Sequence, residues 1–343
     1  MPSFAAKVVA WQKQHGRHGL PWQGTRDPYA IWLAEIMLQQ TQVATVIPYY
    51  LRFLARFPDV AALAAAPLDE VLRLWSGLGY YSRARNLHRA AQVIAEAHSG
   101  RFPRLFEDVA ALPGVGRSTA AAICVFAFGK RHAILDGNVR RVLARFRGIK
   151  GYGGDRKIAD RLWREAQRLL PRRNVEAYTQ GLMDLGATVC TRSKPRCPVC
   201  PVHGACVAFR RGWTGKVPAP RPSKRLPLKR TLMLALMRAG EVLLEKRPPS
   251  GIWGGMWCLP EAVRKTDIEA YCLKRFGTHI IEIDELPPIA HGFTHFKLDI
   301  RPLRLRVSAL VPEAAEPGVM WLSLEEARGA AIPAPVRRIL AAL

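Results

Sequence analysis

The chain has 343 residues, which is enough for two domains that each bury a core of their own. Its 52 Lys and Arg residues outnumber its 27 Asp and Glu residues, and the formal net charge of +25 predicts a polyanionic partner. No apolar stretch reaches membrane-spanning length, and the N-terminus has no signal-peptide pattern, so we expect an intracellular, cytoplasmic protein. In that setting its seven cysteines are expected to be reduced thiols or metal ligands, which excludes a disulfide-stapled secreted protein.

An isolated acid interrupts an apolar helical pattern near the N-terminus. Glu35 stands among Ile31, Trp32, Leu33 and Met37, whose spacing predicts a helix. A carboxyl in such surroundings would have a raised pKa and could donate a proton near neutral pH. A surface Glu on an exposed stripe of the helix is the plain alternative.

The next segment places two aromatic residues beside two arginines. Tyr80 and Tyr81 are followed by Arg83 and Arg85. Aromatic rings can stack on bases while guanidinium groups contact phosphates, so the segment is a candidate DNA contact. The alternative interpretation is that the two Tyr residues are part of the protein core.

A glycine-rich hairpin lies between two helical patterns further along the chain. Gly114 and Gly116 let backbone N–H groups converge near a helix N-terminus, a geometry suited to a phosphate oxygen. Ser118 is predicted to cap the following helix. Asp136 comes later, just ahead of an Arg-rich helical pattern. A phosphate cradle followed by a lone acid is what a base-removing DNA enzyme requires, although an ordinary helical hairpin with a capping Asp fits as well.

Four cysteines follow a metal-site spacing. They form the pattern C-x6-C-x2-C-x5-C, which we interpret as a metal centre, and the spacing alone leaves zinc and iron–sulfur open: Cys190, Cys197, Cys200 and Cys206. The other three cysteines are interpreted as apolar filler: Cys124, Cys258 and Cys272.

The C-terminal third changes from helical to mixed patterns. Residues 212–230 contain four Pro and six Lys or Arg, which is linker composition and could also form a basic strap over DNA. Strand patterns then occupy Leu232–Leu236, Val242–Leu244 and Phe296–Val307. Helical patterns complete an α+β unit at Ile268–Phe276, Leu324–Ala331 and Pro335–Leu343.

The stretch LPGVGRSTA followed by ILDGNVRRVLAR resembles the helix-hairpin-helix and aspartate signature of the DNA glycosylase superfamily. With WLAEIMLQQTQV, which carries Glu35, it is most similar to the MutY-type adenine DNA glycosylases, and the likeness covers nearly the whole chain. The resemblance implies a multidomain fold with an all-α glycosylase domain at 1–211, a basic Pro-rich linker at 212–230 and an α+β Nudix-like domain at 231–343. The first domain would contain the helix-hairpin-helix at about 105–128 and a [4Fe-4S] loop at 190–206.

The resemblance also implies roles for individual residues. Glu35 would protonate adenine and activate water, while Asp136, assisted by Asn138, would stabilise the cationic sugar. Ser118 occupies the position where relatives that resemble endonuclease III carry a nucleophilic lysine. The implied contacts with DNA or the flipped adenine are made by Trp22, Gln40, Tyr80, Gly114, Gly116, Ser118 and Gln180. A loop that resembles the family's F-S-H reader of 8-oxoguanine is formed by Phe293, Thr294 and His295.

Two departures from the family pattern affect recognition. Thr294 stands where the family usually has Ser, and Gln23 stands where some relatives carry a basic residue. The segment Glu269–Lys274 lacks most of the acids that a Nudix hydrolase needs for Mg²⁺, so diphosphate hydrolysis is not expected.

The implied protein is a monofunctional glycosylase, a monomer associated with the nucleoid. It would carry one [4Fe-4S] cluster and act on double-stranded DNA containing A opposite 8-oxoguanine or G. Alternatives are an endonuclease III-like lyase, which Ser118 disfavours, and a non-catalytic cluster-containing DNA-binding protein, which the pairing of Glu35 with Asp136 disfavours.

Overall fold

The computed structural model describes residues 2–222, 225–263, 267–308 and 318–343. They form two compact units, the first made of residues 1–65 and 86–223 and the second of residues 66–85 and 224–343. The sequence analysis places residues 66–85 in the first domain, 1–211, whereas in the structure they group with the C-terminal residues. Within the described ranges, no helix combines the length and apolar character needed to cross a bilayer.

The first unit is built from helices, as the apolar spacing predicts. The boundary between the units falls inside the helix Ser82–Ala97, and the helix Leu68–Trp75 belongs to the second unit. The helices up to the cysteine loop are α1 (Phe4–His15), α2 (Pro28–Met37), α3 (Val43–Arg56), α4 (Val60–Ala65), α5 (Leu68–Trp75), α6 (Ser82–Ala97), α7 (Phe106–Ala111), α8 (Arg117–Phe128), α9 (Gly137–Arg147), α10 (Arg156–Leu169) and α11 (Val175–Asp184), and α12 (Val207–Arg210) follows the loop.

Helix α2 is the buried helix that carries Glu35. Asp27 caps it by accepting a hydrogen bond from the Tyr29 N–H at 3.0 Å, and Pro28 occupies the first helical position. Eight of its ten residues are buried, as expected for a helix that is apolar on all faces. Glu35 is therefore the one charged side chain of a core helix.

The predicted hairpin joins α7 to α8. Gly114 has φ of +78°, and a Cβ there would lie 2.8 Å from the Asn86 Cβ, so this position requires glycine. Ser118 is not the cap of α8, contrary to the prediction. Gly116 occupies the capping position, and the Ser118 hydroxyl instead accepts a hydrogen bond from the Leu135 N–H at 2.9 Å. The hydroxyl thus satisfies a backbone donor just ahead of Asp136.

Asp136 and the turn after α11 shape the other side of the hairpin. Asp136 caps α9 by accepting from the Val139 N–H at 2.8 Å. Helix α11 continues into one π-helical turn, Leu185–Val189, a geometry often found at functional sites. In this turn a Cβ on Gly186 would lie 2.6 Å from the Asn138 Cβ, so glycine permits the close approach of the π turn to α9.

The second unit contains a mixed sheet. The two central strands of this sheet run parallel, with Leu228 opposite Lys297 and Met237 opposite Arg306. The strands are β1 (Leu228–Arg238), β2 (Glu241–Lys246), β3 (Trp257–Cys258), β4 (Glu261–Ala262), β5 (Ile280–Glu285), β6 (Ile289–Gly292), β7 (Lys297–Val307) and β8 (Val319–Ser323), and the helices of this part are α13 (Ile268–Phe276), α14 (Leu324–Gly329) and α15 (Ala334–Ala341). The path through the sheet is β3-β2-β1-β7-β5, with β4 on β1, β6 on β7 and β8 on β2.

The predicted linker and the first strand overlap. Strand β1 starts at Leu228, inside the predicted linker 212–230. Its first residues pair with β7 through backbone hydrogen bonds, which do not depend on the charge of the side chains. Arg230 lies 3.6 Å from Asp299 on the neighbouring strand. Linker positions 223 and 224 lie outside the described residues.

Candidate active site

One cavity of about 1400 Å³ in the first unit gathers most of the predicted site residues. It is lined by α2, α8, α9, α11 and the loop between α1 and α2. The predicted residues that line it are Trp22, Glu35, Gln40, Gly114, Gly116, Ser118, Asp136, Asn138 and Gln180. The cavity is larger than one base requires, so it can admit a base together with its sugar.

Glu35 holds a proton at neutral pH. Its side chain is half-buried, with part of its surface opening to the cavity and the rest enclosed by α2 and its neighbours. Loss of water around the carboxyl raises the pKa of Glu35 to about 8, and the nearby charge of Asp136 acts in the same direction. A carboxyl with this pKa could donate a proton into the cavity near neutral pH.

Asp136 is the second carboxyl in the cavity, and it is better stabilised as an anion. Burial also raises the pKa of Asp136, but the N–H groups of Val139 and Asn138 and the charges of Arg141 and Arg140 oppose that rise. Both influences on Glu35 raise its pKa, whereas Asp136 receives these stabilising contacts. The two environments thus favour a protonated Glu35 beside an ionised Asp136.

Asn138 contacts Asp136 through its main chain. Its side-chain oxygen accepts a hydrogen bond from the Arg141 Nη2 at 2.7 Å instead. The same guanidinium donates to the Gly186 carbonyl at 2.8 Å and to the Cys190 carbonyl at 2.7 Å. Arg141 thereby ties α9 to the π turn and the cysteine loop, a role that the Arg-rich pattern of α9 did not single out.

Trp22 and Gln40 lie on the cavity wall in different settings. Trp22 is half-buried, and its ring packs edge-on against Tyr50 at 5.4 Å. Gln40 is exposed and has φ of +58°, the left-handed region that residues other than glycine seldom adopt. The backbone therefore presents the Gln40 side chain from a tight, strained turn after α2.

The remaining predicted DNA contacts belong to the second unit. Tyr80 is 45% exposed with φ of +48°, and the Arg83 guanidinium lies 5.5 Å from the centre of its ring. Phe293 lies in the turn between β6 and β7 and stacks on Phe296 at 4.5 Å. Thr294 and His295 are exposed beside it, with the hydroxyl of Thr294 3.4 Å from the His295 Nδ1.

The four spaced cysteines line one small, apolar-walled cavity in the first unit: Cys190, Cys197, Cys200 and Cys206. Burial and the neighbouring thiols raise the pKa of Cys200 to about 11, so four thiolates here need a bound cation. Arg145 donates to the Cys190 sulfur at 3.3 Å and is itself buried. In the described part of the chain, no three metal-ligating side chains are arranged to hold a metal ion. The support for a metal centre is the kind of donor: four thiols that line one small cavity, as a thiolate-bound metal would require.

Known proteins resemble the chain over both units. A family model described as HhH-GPD superfamily base excision DNA repair protein matches residues 33–168, and a NUDIX domain model matches residues 231–342. The structure of a thermostable thymine-DNA glycosylase is similar, with a TM-score of 0.54 and 30% identity over 61% of this chain and 95% of that one.

Two relatives match nearly the whole length of this chain. The adenine DNA glycosylase of Homo sapiens is 33% identical over 98% of this chain and 73% of its own length. The adenine DNA glycosylase of Buchnera aphidicola subsp. Baizongia pistaciae is 36% identical over 98% of this chain and 95% of its own length. This chain therefore belongs to the adenine DNA glycosylase family.

Proposed function

We propose that the protein hydrolyses the N-glycosidic bond of adenine lying opposite 8-oxoguanine or G in duplex DNA. The observation that carries the proposal is the pair of carboxyls with opposite proton preferences, Glu35 and Asp136, in one cavity large enough for a nucleoside. The protein would act as a monomer on the chromosome in the cytoplasm, and its net charge of +25 favours that partner. Base release from defined mispaired duplexes tests the proposal.

The two carboxyls divide the work of breaking the bond. The adenine first leaves the base stack and enters the cavity, at a cost of about a few kcal/mol. Glu35 then gives its proton to the ring nitrogen of the departing base, which makes adenine a neutral leaving group. Positive charge develops on the sugar as the bond breaks, and the Asp136 carboxylate stabilises it. Glu35, now ionised, accepts a proton from the water that attacks the sugar.

Recognition of the opposite base would use the second unit. Phe293 and Phe296 form a stacked pair that holds the turn carrying Thr294 and His295, both of which can donate hydrogen bonds to a base edge. Tyr80 is an exposed ring that can stack against a base. These placements support the 8-oxoguanine-reading role that the family resemblance assigns to them.

The cysteine loop would hold one [4Fe-4S] cluster on Cys190, Cys197, Cys200 and Cys206. Such a cluster would organise the loop, whereas hydrolysis of a glycosidic bond transfers no electrons. The basic side chains of Arg192, Lys194 and Arg196 in the same loop would then meet phosphates.

Purified protein is expected to be brown and to contain about four iron atoms per chain, the stoichiometry of the proposed cluster. Metal analysis and visible absorption check this. Cys197→Ser is expected to lower the iron content, whereas Cys258→Ser, a buried cysteine outside the loop, is expected to leave it unchanged. A colourless protein with one tightly bound zinc would contradict the assignment.

The proposed activity stops at base removal because Ser118, at the position where the resemblance implies a lyase's lysine, has no amine. Ser118 lines the cavity, and its hydroxyl already holds the Leu135 N–H. Ser118→Lys is therefore expected to gain strand cleavage and a borohydride-trappable complex with DNA. Gel analysis of strand cleavage and trapping, compared with wild type at equal base release, measures the gain.

Ser118→Ala is the matched control, because it removes the same acceptor without adding an amine. Both variants are expected to lose about 1–3 kcal/mol of stability, since each leaves the Leu135 N–H unpaired. Trapping by Ser118→Ala equal to that by Ser118→Lys would show that residue 118 does not supply the amine.

A further inference from the structure

A fully buried carboxylate lies behind the wall of the cavity. Asp184, the last residue of α11, has no exposed surface. Its Oδ2 accepts from the Arg17 backbone N–H at 2.9 Å, and its Oδ1 accepts from the Arg17 Nε at 2.7 Å. The same Oδ1 accepts from the Gln180 Nε2 at 2.8 Å. Three donors therefore converge on one carboxylate, and Gln180 is the member that also lines the cavity.

The loop that supplies Arg17 is itself held in place. Helices α1 and α11 approach closely at Gly181, where a Cβ would lie 2.9 Å from the Gln12 Cβ, and this contact brings the end of α1 over Asp184. Gln23 then fixes the loop by accepting from the Leu20 N–H and donating to the Arg17 carbonyl, both at 3.0 Å. Gln23, a departure from some relatives, thus stabilises the loop that anchors Asp184.

This network determines which end of the Gln180 amide faces the base. The Asp184 oxygens accept from two Arg17 N–H groups, which can only donate, and the Gln180 amide meets the same carboxyl with its NH₂. Among the described residues no hydrogen bond to the Gln180 Oε1 is found, and this oxygen is the polar atom left for the cavity. A fixed acceptor suits the amino group of adenine and opposes a base with a carbonyl oxygen at the same position.

We propose that Asp184 is a positioning residue for base selection: by holding the Gln180 amide in one orientation, it makes the cavity select a 6-amino purine over a 6-oxo purine. The inference rests on the proposed function, because it concerns the base that this site would release. It requires that loss of the Asp184 charge impair discrimination more than it impairs release itself.

The test is single-turnover release of adenine, hypoxanthine and unsubstituted purine, each placed opposite 8-oxoguanine in the same duplex. Asp184→Asn keeps the shape of the side chain but can present an NH₂ to Gln180, which allows that amide to turn over. The ratio of adenine to hypoxanthine release is expected to fall about 10-fold or more, the value of one well-placed hydrogen bond in an enclosed site. Purine, with no group at that position, should be released at nearly the wild-type rate.

Gln180→Leu serves as the second variant, because it removes the amide while Asp184 keeps its two Arg17 donors. It should lower the adenine-to-hypoxanthine ratio to a similar level, and adding Asp184→Asn to it should change the ratio no further. Equal loss on all three bases, or an unchanged ratio in Gln180→Leu, would overturn the inference without contradicting the proposed function, which rests on adenine release by the wild type. A wild-type protein that released no base would overturn the proposed function and this inference with it.

Discussion

Glu35→Gln is expected to lower the single-turnover rate of adenine release about 10²–10⁴-fold, the usual contribution of a general acid–base group. The amide has nearly the shape of the carboxyl, so affinity for the mispaired duplex should change little. Glu96→Gln, the same substitution at an exposed position of α6, is the matched control and should behave as wild type. A wild-type rate for Glu35→Gln would remove Glu35 from the catalytic role.

The dependence of the wild-type release rate on pH should reflect the ionisation of Glu35. Because the pKa of Glu35 is raised to about 8, the acid stays protonated at neutral pH and loses its proton as the pH rises above that value. The release rate should therefore fall on the alkaline side. Since the raised pKa opposes ionisation in the fold, the stability that Glu35 contributes should be lost as the pH rises from its ordinary pKa of 4.5 to about 8, with no further loss from this group above that value.

Asp136→Asn is expected to reduce adenine release about 10²–10³-fold, as found when one group that stabilises transition-state charge is removed. The amide oxygen can still accept from the Val139 N–H, so the cap of α9 should survive and only the charge should be lost. Single-turnover rates and a thermal melt together measure both properties.

Asp155→Asn provides the comparison for Asp136, because Asp155 caps α10 in the same way by accepting from the Ile158 N–H at 3.2 Å. The two substitutions should have similar effects on the melting temperature and very different effects on the rate. If Asp136→Asn kept most of its activity, Asp136 would be a helix cap and nothing more.

The centre of the site could be predicted from sequence because its residues lie in strong local patterns. Glu35 is a lone acid in a helix that is otherwise apolar, and Asp136 directly precedes a helix, where its side chain can cap. Gly114 adopts the positive φ that its place in a tight turn suggests. In each case the residues next to it in the sequence determine the environment of the site residue.

The residues that support the site depend on contacts between distant parts of the chain, which no local pattern contains. Arg17 and Asp184 are 167 positions apart, and their hydrogen bonds depend on the packing of α1 against α11. The position of Ser118 in the sequence predicts a helix cap, yet its hydroxyl accepts a hydrogen bond from the Leu135 N–H, 17 residues away. In the second unit the Ser76 hydroxyl donates to the Ile332 carbonyl at 2.9 Å, a contact that groups 66–85 with the C-terminal residues.

The most direct test of the account is base release from three otherwise identical duplexes carrying A opposite 8-oxoguanine, A opposite G and A opposite T, each analysed with and without hot alkali. We expect free adenine from the first two duplexes and none above background from the third. The abasic strand should remain intact until alkali breaks it, because Ser118 offers no amine. Release of no adenine from either mispair, or efficient strand cleavage without alkali, would contradict the account.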